Sequence, residues 1–254
     1  MTTVFARGLG YSYGAHRVLD AADLELDGGS MTLLAGRNGA GKSTLLGLLA
    51  GILRLQDGTV EFDGRSIQDL RVSDRARLVT LVPQDSDTSF EYTGREVVMM
   101  GRHPHIPRFG RPGPADFDAV QQALESTDAA EFADRNVQTL SGGELRRVHI
   151  ARALATQAPV LLADEPTANL DLEHAVAILD LLRQLADRGH TVLLSSHDLN
   201  FMAPRCDQIA LLHERCIRHL GSADAVLTDA VIAEVFGVQS AAPSGYFPRD
   251  FGPL

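Results

Sequence analysis

The feature that most constrains this chain is a glycine-rich segment between a short apolar run and an apolar helical pattern. It reads, in order, Gly36, Arg37, Asn38, Gly39, Ala40, Gly41, Lys42, Ser43 and Thr44. This order fits the spacing G-x-x-x-x-G-K-[ST]. Glycines let the backbone curl so that several N–H groups point at one centre, and the following helix adds its positive N-terminal end. The segment therefore predicts a phosphate-binding loop. In it, Lys42 reaches the β- and γ-phosphates of a nucleotide and Ser43 ligates Mg²⁺.

Strand and helix patterns alternate along the chain. Residues 3–27 alternate apolar and polar positions, which predicts antiparallel strands. Further strands are predicted at 31–35, 59–62, 78–82, 160–163, 191–195 and 209–212, and helices at 41–52, 94–100, 116–126, 141–155 and 173–187. Such alternation indicates an α/β protein with a parallel sheet. We expect a P-loop NTPase core with an antiparallel β subdomain and an inserted helical subdomain.

The 254 residues suit a single domain of this kind. We expect residues 1–84 and 156–238 to form the nucleotide-binding core and residues 239–254 to form a C-terminal tail. Residues 85–155 are expected to form the helical subdomain, because strand signals are scarce there. Within it, residues 102–114 read RHPHIPRFGRPGP, and their prolines and glycines predict a loop.

Composition narrows the classes of function. The formal net charge of -10 argues against a nucleic acid as the main partner, because phosphate backbones repel an acidic protein. Cys206 and Cys216 lack the spacing of a metal site, which indicates reduced thiols in a cytosolic protein. The most apolar run, residues 45–53, is shorter than the roughly 20 residues that span a bilayer. The first residues do not resemble a secretion signal. We therefore expect any membrane role to come through a partner.

Two carboxylates follow the apolar run at residues 160–163. Asp164 is placed to hold Mg²⁺, directly or through water, and Glu165 to orient or deprotonate an attacking water. Apolar strands that end in acidic residues are common, so this pair alone is a moderate signal. Together with the glycine-rich loop it indicates nucleotide hydrolysis.

A third motif consists of Leu140, Ser141, Gly142, Gly143 and Glu144. Ser141 and Glu144 have the spacing of a capping box, which would leave helix N–H groups pointing outward as an anion site. An ordinary helix N-cap has the same pattern. The LSGGE sequence also resembles the signature motif of ABC ATPases, in which this helix end faces the γ-phosphate held by the opposite subunit.

The resemblance runs from about residue 4 to residue 238, and its other elements fall in order. Gln84 looks like the Q-loop glutamine, a Mg²⁺ and water contact, and His197 like the switch histidine that contacts the γ-phosphate. Asp171 closes a segment, residues 168–171, that looks like the D-loop. Tyr13 looks like the aromatic residue that stacks on adenine, with Tyr11 close by as the alternative.

What the resemblance implies is an ATPase with ATP and Mg²⁺ as cofactors. Glu165, His197 and Gln84 would be catalytic, and Ser43, Gln84 and Asp164 would hold the metal. A second copy would bind head-to-tail to complete each site. Transmembrane permease subunits, and through them a substrate-binding protein, would place the chain at the cytoplasmic face of the cell membrane. One departure is Leu145-Arg146-Arg147, where many members have an Arg-Gln-Arg type of sequence.

The stretch after Gln84 indicates a class of transporter. Residues 90–105, with Phe90, EVV and MGRHPH, look like the ATPases of importers for iron–siderophores, haem and cobalamin, and so do residues 227–238. His103 and His105, flanked by prolines, are poor metal ligands. An exporter ATPase shares the catalytic motifs and remains the alternative, as does a non-transport ABC ATPase, although the chain has no coiled-coil insertion. A P-loop small-molecule kinase is disfavoured by the signature-like motif and His197.

Overall fold

The computed structural model describes residues 1–84 and 91–237. Its strands are β1 (Val4–Tyr13), β2 (His16–Leu26), β3 (Met31–Ala35), β4 (Asp57–Phe62), β5 (Arg65–Ser66), β6 (Val79–Val82), β7 (Val160–Asp164), β8 (Thr191–Ser196), β9 (Gln208–His213) and β10 (Cys216–Gly221). Its α-helices are α1 (Lys42–Leu49), α2 (Val72–Ala76), α3 (Gly94–Met99), α4 (Pro114–Ser126), α5 (Gly142–Ala155), α6 (Leu172–Asp187), α7 (Leu199–Met202), α8 (Ala223–Val226) and α9 (Asp229–Phe236).

The strands form two sheets. One has the order β2-β1-β4-β5 and is antiparallel; the other has the order β10-β9-β3-β8-β7-β6. In the second sheet the strands from β9 to β6 are parallel, and β10 is an antiparallel edge. The predicted α/β class and parallel sheet are confirmed. The elements that the patterns did not predict are short or lie near the chain end: β5, α2, α7, β10, α8 and α9.

The parallel sheet is buried on both faces, which explains why its strands are continuous apolar runs. Leu33 of β3 packs into a cluster that includes Ile178 of α6, whereas its neighbour Leu34 packs into a second cluster with Leu45 of α1. This second cluster also takes in the antiparallel sheet, for example Leu24. Alternate side chains of β3 therefore pack against α6 on one face of the sheet, and against α1 and the antiparallel sheet on the other.

A third apolar cluster joins α3, α4 and α5, with Val97, Val120 and Val148 among its buried members. Helix α3 begins at a capping box in which the Thr93 N–H donates to Glu96 Oε2 at 2.8 Å. Within the described residues, no helix is long and apolar enough to cross a bilayer. Phe90 and the tail, residues 239–254, lie outside the described residues.

The segment predicted as a loop, residues 102–114, is anchored through its first residues, 102–105. Arg102 closes a short 3-10 turn and is only 5% exposed. Its Nε lies 2.9 Å from Asp116 Oδ1, and its Nη1 donates to the Ala155 carbonyl at 2.7 Å. His105 Nε2 lies 2.8 Å from the Thr156 carbonyl oxygen. At the other end, Pro114 already begins α4. Residues 107–112 are all exposed.

Replacing Asp116 with Ala is expected to lower the free energy of unfolding by about 3 kcal/mol, because it leaves the buried Arg102 guanidinium without its counter-ion. The hydrogen bond from the Gly113 N–H, and to a lesser extent the one from Arg102, holds the pKa of Asp116 below its usual range. The stabilisation is therefore present above the usual pKa of Asp and is lost as pH falls through the lower, folded-state pKa. Urea unfolding at neutral and acidic pH measures both effects. Asp118→Ala, at an exposed position on the same helix, is the control and should change little.

Candidate functional site

Four neighbouring parallel strands bring the predicted site residues to one edge of the sheet. In the order β3-β8-β7-β6, the carboxyl ends lead into the glycine-rich loop, His197, Glu165 and Gln84 respectively. Ligands of open α/β sheets bind at the carboxyl ends of the strands, where loops diverge. The topology therefore gathers residues that are far apart in sequence.

These residues share a cavity of about 460 Å³. It is lined by Tyr13, Val18, Asn38, Gly39, Gly41, Lys42, Ser43, Thr44, Gln84, Glu165 and His197. Three residues of the predicted loop lie elsewhere: Gly36 and Arg37 line a neighbouring cavity of about 450 Å³, and Ala40 packs against the second apolar cluster. Val18, a strand residue with no polar group, had no signal in the sequence.

Lys42 is the buried cation of the cavity, with 6% of its surface exposed. Its ammonium donates to the carbonyl oxygens of Gly36 at 3.0 Å and Arg37 at 3.3 Å. Burial lowers the pKa of Lys42, and the negative charges of Glu165 and Asp164 partly oppose this effect. A desolvated ammonium with carbonyl partners, but no paired carboxylate among them, is suited to receive an anion.

Two glycines of the loop are required by their surroundings. Gly41 has φ of 108° and precedes α1, and a Cβ there would lie 2.9 Å from Val18 Cγ1. A Cβ at Gly36 would lie 2.5 Å from the Leu212 carbonyl oxygen. Larger side chains at either position would force the loop away from the strands that shape it.

Glu165 lies at the centre of the polar groups of the cavity. Its Oε1 is 3.3 Å from His197 Nδ1, and its Oε2 is 3.4 Å from Gln84 Nε2. The backbone of Glu165 has φ of 44°, a left-handed conformation that is costly for a residue with a side chain. The Ser195 hydroxyl accepts a hydrogen bond from the Glu165 N–H at 3.0 Å and supports this conformation.

Asp164, the residue predicted to hold Mg²⁺, is buried. It is 8% exposed and is not among the cavity-lining residues. Its Oδ1 accepts a hydrogen bond from the hydroxyl of Ser195, its register partner on β8. One serine thus joins the two acidic residues. The sequence carries a signal for Ser195, a hydroxyl at a strand end two residues before His197, although none of the motifs described above includes it.

The oxygen atoms available for a cation are the Ser43 hydroxyl, the Asp164 carboxylate and the Gln84 side-chain carbonyl. All are hard donors, and Mg²⁺ is commonly bound through one or two carboxylates together with phosphates of its substrate. Within the described residues, no group of three or more His, Cys, Asp or Glu side chains forms a metal site by itself. The donor chemistry fits Mg²⁺ bound together with a nucleotide.

The signature-like motif lies at the start of α5. Ser141 is the N-cap: its N–H donates to Glu144 Oε2 at 2.6 Å, and its Oγ accepts from the Glu144 N–H at 3.3 Å. The predicted capping box is therefore present. Ser141 and Gly142 are exposed, Gly143 is buried, and none of the four motif residues lines the cavity described above. The N-terminus of α5 presents its free N–H groups to solvent near Ser141.

Two other predicted residues can be placed. Tyr13 is 53% exposed and lines the cavity, whereas Tyr11 meets its ring edge-on at 5.0 Å and is not among the lining residues. Asp171 caps α6, where its Oδ1 accepts from the His174 N–H at 2.9 Å. It is also absent from the cavity lining.

A model of the ABC transporter family matches residues 19–168, which is more than half of the chain. The chain belongs to the ABC transporter family. The matched region includes the glycine-rich loop, the signature-like motif and both carboxylates.

Curated relatives and solved structures of ABC proteins extend this similarity over most of the chain. This chain is 40% identical over 240 residues to the cobalamin import ATP-binding protein of Halobacterium salinarum. The match covers 94% of this chain and 60% of that longer relative. It is 38% identical over 255 residues to the hemin import ATP-binding protein of Myxococcus xanthus, covering 98% and 94%. A chain from an inward-facing structure described as a metal-chelate type ABC transporter has a TM-score of 0.83 at 30% identity, covering 94% and 90%.

Arg146 shows what the departure after the ABC signature-like motif does. Its Nη1 donates to the Pro83 carbonyl at 2.8 Å and its Nη2 to the Gln84 carbonyl at 2.9 Å. The neighbouring Arg147 donates instead to the Thr127 carbonyl at 3.2 Å. The side chain of Arg146 therefore ties the signature helix to the segment that carries Gln84, a link that the sequence pattern did not reveal.

Proposed function

We propose that this chain binds MgATP in the 460 Å³ cavity and hydrolyses it as the ATPase subunit of a membrane ABC importer. The observation that carries the proposal is the convergence of Lys42, Gln84, Glu165 and His197 in one cavity at the carboxyl edge of the parallel sheet. The test is phosphate release by the purified chain with ATP and Mg²⁺, with Lys42→Ala as the inactive reference. If both released phosphate equally, the cavity would not be the site.

In this proposal each residue has a physical role. The loop N–H groups and Lys42 hold the β- and γ-phosphates, and Glu165 orients the water that attacks the γ-phosphorus. His197 and Gln84, each within 3.4 Å of a Glu165 oxygen, fix that carboxylate and reach the same phosphate region. Ser43, Asp164 and Gln84 would hold Mg²⁺, which neutralises phosphate charge when bound.

Each site is proposed to require two copies. Residues 141–144 open an exposed helix N-terminus that does not face the cavity of its own chain. A second copy arranged head-to-tail would bring this N-terminus to the γ-phosphate, where a helix dipole and free N–H groups stabilise negative charge. ATP would then hold the pair together, and hydrolysis would release it.

The membrane partner is proposed to be a permease that docks beside α2. Ile52 and Val72 are 69% and 72% exposed, and Ile52 helps to line a cavity of about 510 Å³ that also includes Arg75. Exposed large apolar side chains beside a cavity are typical of a protein contact. This contact would place the chain at the cytoplasmic face of the membrane, with a substrate-binding protein reached through the permease.

For the cargo, we propose an iron–siderophore, haem or cobalamin. The support is residues 91–105, together with the import of cobalamin and hemin in the names of the relatives. An exporter ATPase is the second candidate, because it uses the same catalytic residues. Transport by the complex reconstituted in vesicles decides between them. With ATP on the side of the membrane that carries the ATPase, an importer should move cargo to that side, whereas an exporter should move cargo away from it.

Tyr13→Ala is expected to raise the KM for ATP about tenfold, because stacking of a base on an aromatic ring contributes on the order of 1–3 kcal/mol. Tyr13→Phe keeps the ring and should leave KM near the wild-type value. Tyr11→Phe is a matched control at the neighbouring ring. Steady-state ATPase kinetics measure the effect, and an unchanged KM in Tyr13→Ala would exclude adenine stacking at this position.

A further inference from the structure

A basic and aromatic protrusion, residues 107–112, stands out from this acidic chain; we call it the tip. The surrounding residues 102–114 contain three arginines and no Asp or Glu, although the whole chain has a net charge of -10. Phe109 is 94% exposed, and the Arg108 guanidinium carbon lies 5.7 Å from the centre of its ring. Arg111 is exposed beside them. The tip therefore presents two cations and one bare aromatic ring to solvent.

The tip is held by its own backbone and by its base. The Gly110 N–H donates to the Pro107 carbonyl at 2.7 Å, which closes a tight turn. Below it, Arg102 is buried in its ion pair with Asp116. Prolines restrict the backbone further. A preorganised protrusion loses little conformational entropy when it binds, so its exposed side chains can contribute to affinity.

The base of the tip adjoins the surface proposed to meet the permease. Arg77 donates through Nη2 to the Pro104 carbonyl at 2.7 Å and through Nε at 3.0 Å. Two residues earlier in the chain, Arg75 lines the 510 Å³ cavity of the proposed permease contact. A permease docked there would bring the tip to the margin of the complex beside the membrane.

We infer that the tip contacts anionic lipid headgroups of the membrane in which the permease sits. This inference rests on the proposed function for the location of the chain. Arginine binds phosphate groups well, an apolar Phe ring is stabilised when it is buried at the boundary of headgroups and acyl chains, and anionic lipid attracts basic segments close to its surface. The rest of the acidic chain is repelled by such a surface, so binding would be confined to the tip.

The experiment is co-sedimentation of the full chain with vesicles of phosphatidylcholine alone or of phosphatidylcholine with phosphatidylglycerol. The chain should sediment with the anionic vesicles and not with the neutral ones, and raised salt should release it. Arg108→Gln and Arg111→Gln should each reduce partitioning about fivefold. Phe109→Ser should reduce it too. Arg7→Gln is the matched control and should leave binding unchanged. Arg7 is exposed and lies 5.5 Å from the Phe5 ring, and both residues are far from the tip in the sequence.

Two outcomes would overturn the inference. One is failure of the wild-type chain to sediment with anionic vesicles. The other is equal binding of wild type and tip variants to those vesicles; if the variants also copurified less well with the permease in lipid-free detergent, the tip would be assigned to a protein contact. ATP hydrolysis by the same variants is measured without membranes, which separates the proposed ATPase function from the proposed lipid contact. Absence of hydrolysis would contradict the ATPase function and would leave the vesicle result unaffected. Lys42→Ala should lose hydrolysis and keep vesicle binding.

Discussion

Replacing Glu165 with Gln is expected to lower ATP turnover by at least about 100-fold while leaving ATP binding intact. Glutamine has nearly the same shape but cannot accept a proton from water. Lys42, which would hold the phosphates, and Ser43, which would hold Mg²⁺, are untouched. Because hydrolysis is proposed to separate the two copies, the variant should accumulate as an ATP-bound pair.

Light scattering with and without MgATP measures that pair, and phosphate release measures turnover. Glu173→Gln is the matched control, because Glu173 is an exposed carboxylate in the first turn of α6. This variant should hydrolyse ATP at the wild-type rate without accumulating pairs. Normal turnover in Glu165→Gln would show that this carboxylate does not act on the attacking water. A pair that formed without ATP would contradict the role of the nucleotide in joining the copies.

The sequence was informative about the sheet because its strands are buried on both faces. Runs such as residues 160–163 are continuous and apolar, so each strand could be recognised locally. Four of these strands, β3, β8, β7 and β6, lead into the glycine-rich loop or a polar residue of the site. Once parallel pairing is expected, the carboxyl ends must lie together. The shared cavity of Lys42, Glu165 and His197 therefore agrees with that expectation.

What the sequence could not provide is the set of contacts between distant segments. Ser195 joins Asp164 to the Glu165 backbone only because β7 and β8 pair in one register. Arg146 reaches the Gln84 carbonyl across more than 60 residues of chain. Arg102 lies in a segment that its prolines and glycines predict to be a loop, yet its partners on α4 and α5 bury it. No local pattern encodes such partners.

Helix α9 illustrates a different difficulty. Its eight residues are mostly apolar, with Ile232 and Val235 buried in the cluster shared with α6. A run this short gives too few turns for a helical period to be distinguished from a strand. The edge strand β10 is only partly buried and alternates with exposed positions, so its signal is equally weak. Tertiary packing, not propensity, determines both elements.

Mixing two inactive variants is expected to restore hydrolysis if each site is shared between copies. Lys42→Ala removes the cation that is proposed to receive the phosphates, and Ser141→Arg places a bulky side chain at the exposed N-terminus of α5. Alone, each variant should lose ATPase activity by about 100-fold or more. In a mixed head-to-tail pair, one site carries both defects, whereas the other combines an intact Lys42 with an intact Ser141.

Random pairing makes half of the dimers mixed, and each mixed dimer has one intact site of two. The mixture should therefore recover up to about one quarter of the wild-type sites, measured as phosphate release against the ratio of the two variants, with a maximum at equal amounts. Mixing Lys42→Ala with Glu165→Gln is the control: both defects lie on the same side of the site, so every mixed pair keeps two damaged sites. Recovery in that control, or none in the first mixture, would show that Ser141 does not complete the cavity of another copy. Each chain would then have to complete its site alone, which the exposed position of Ser141, outside the cavity lining, argues against.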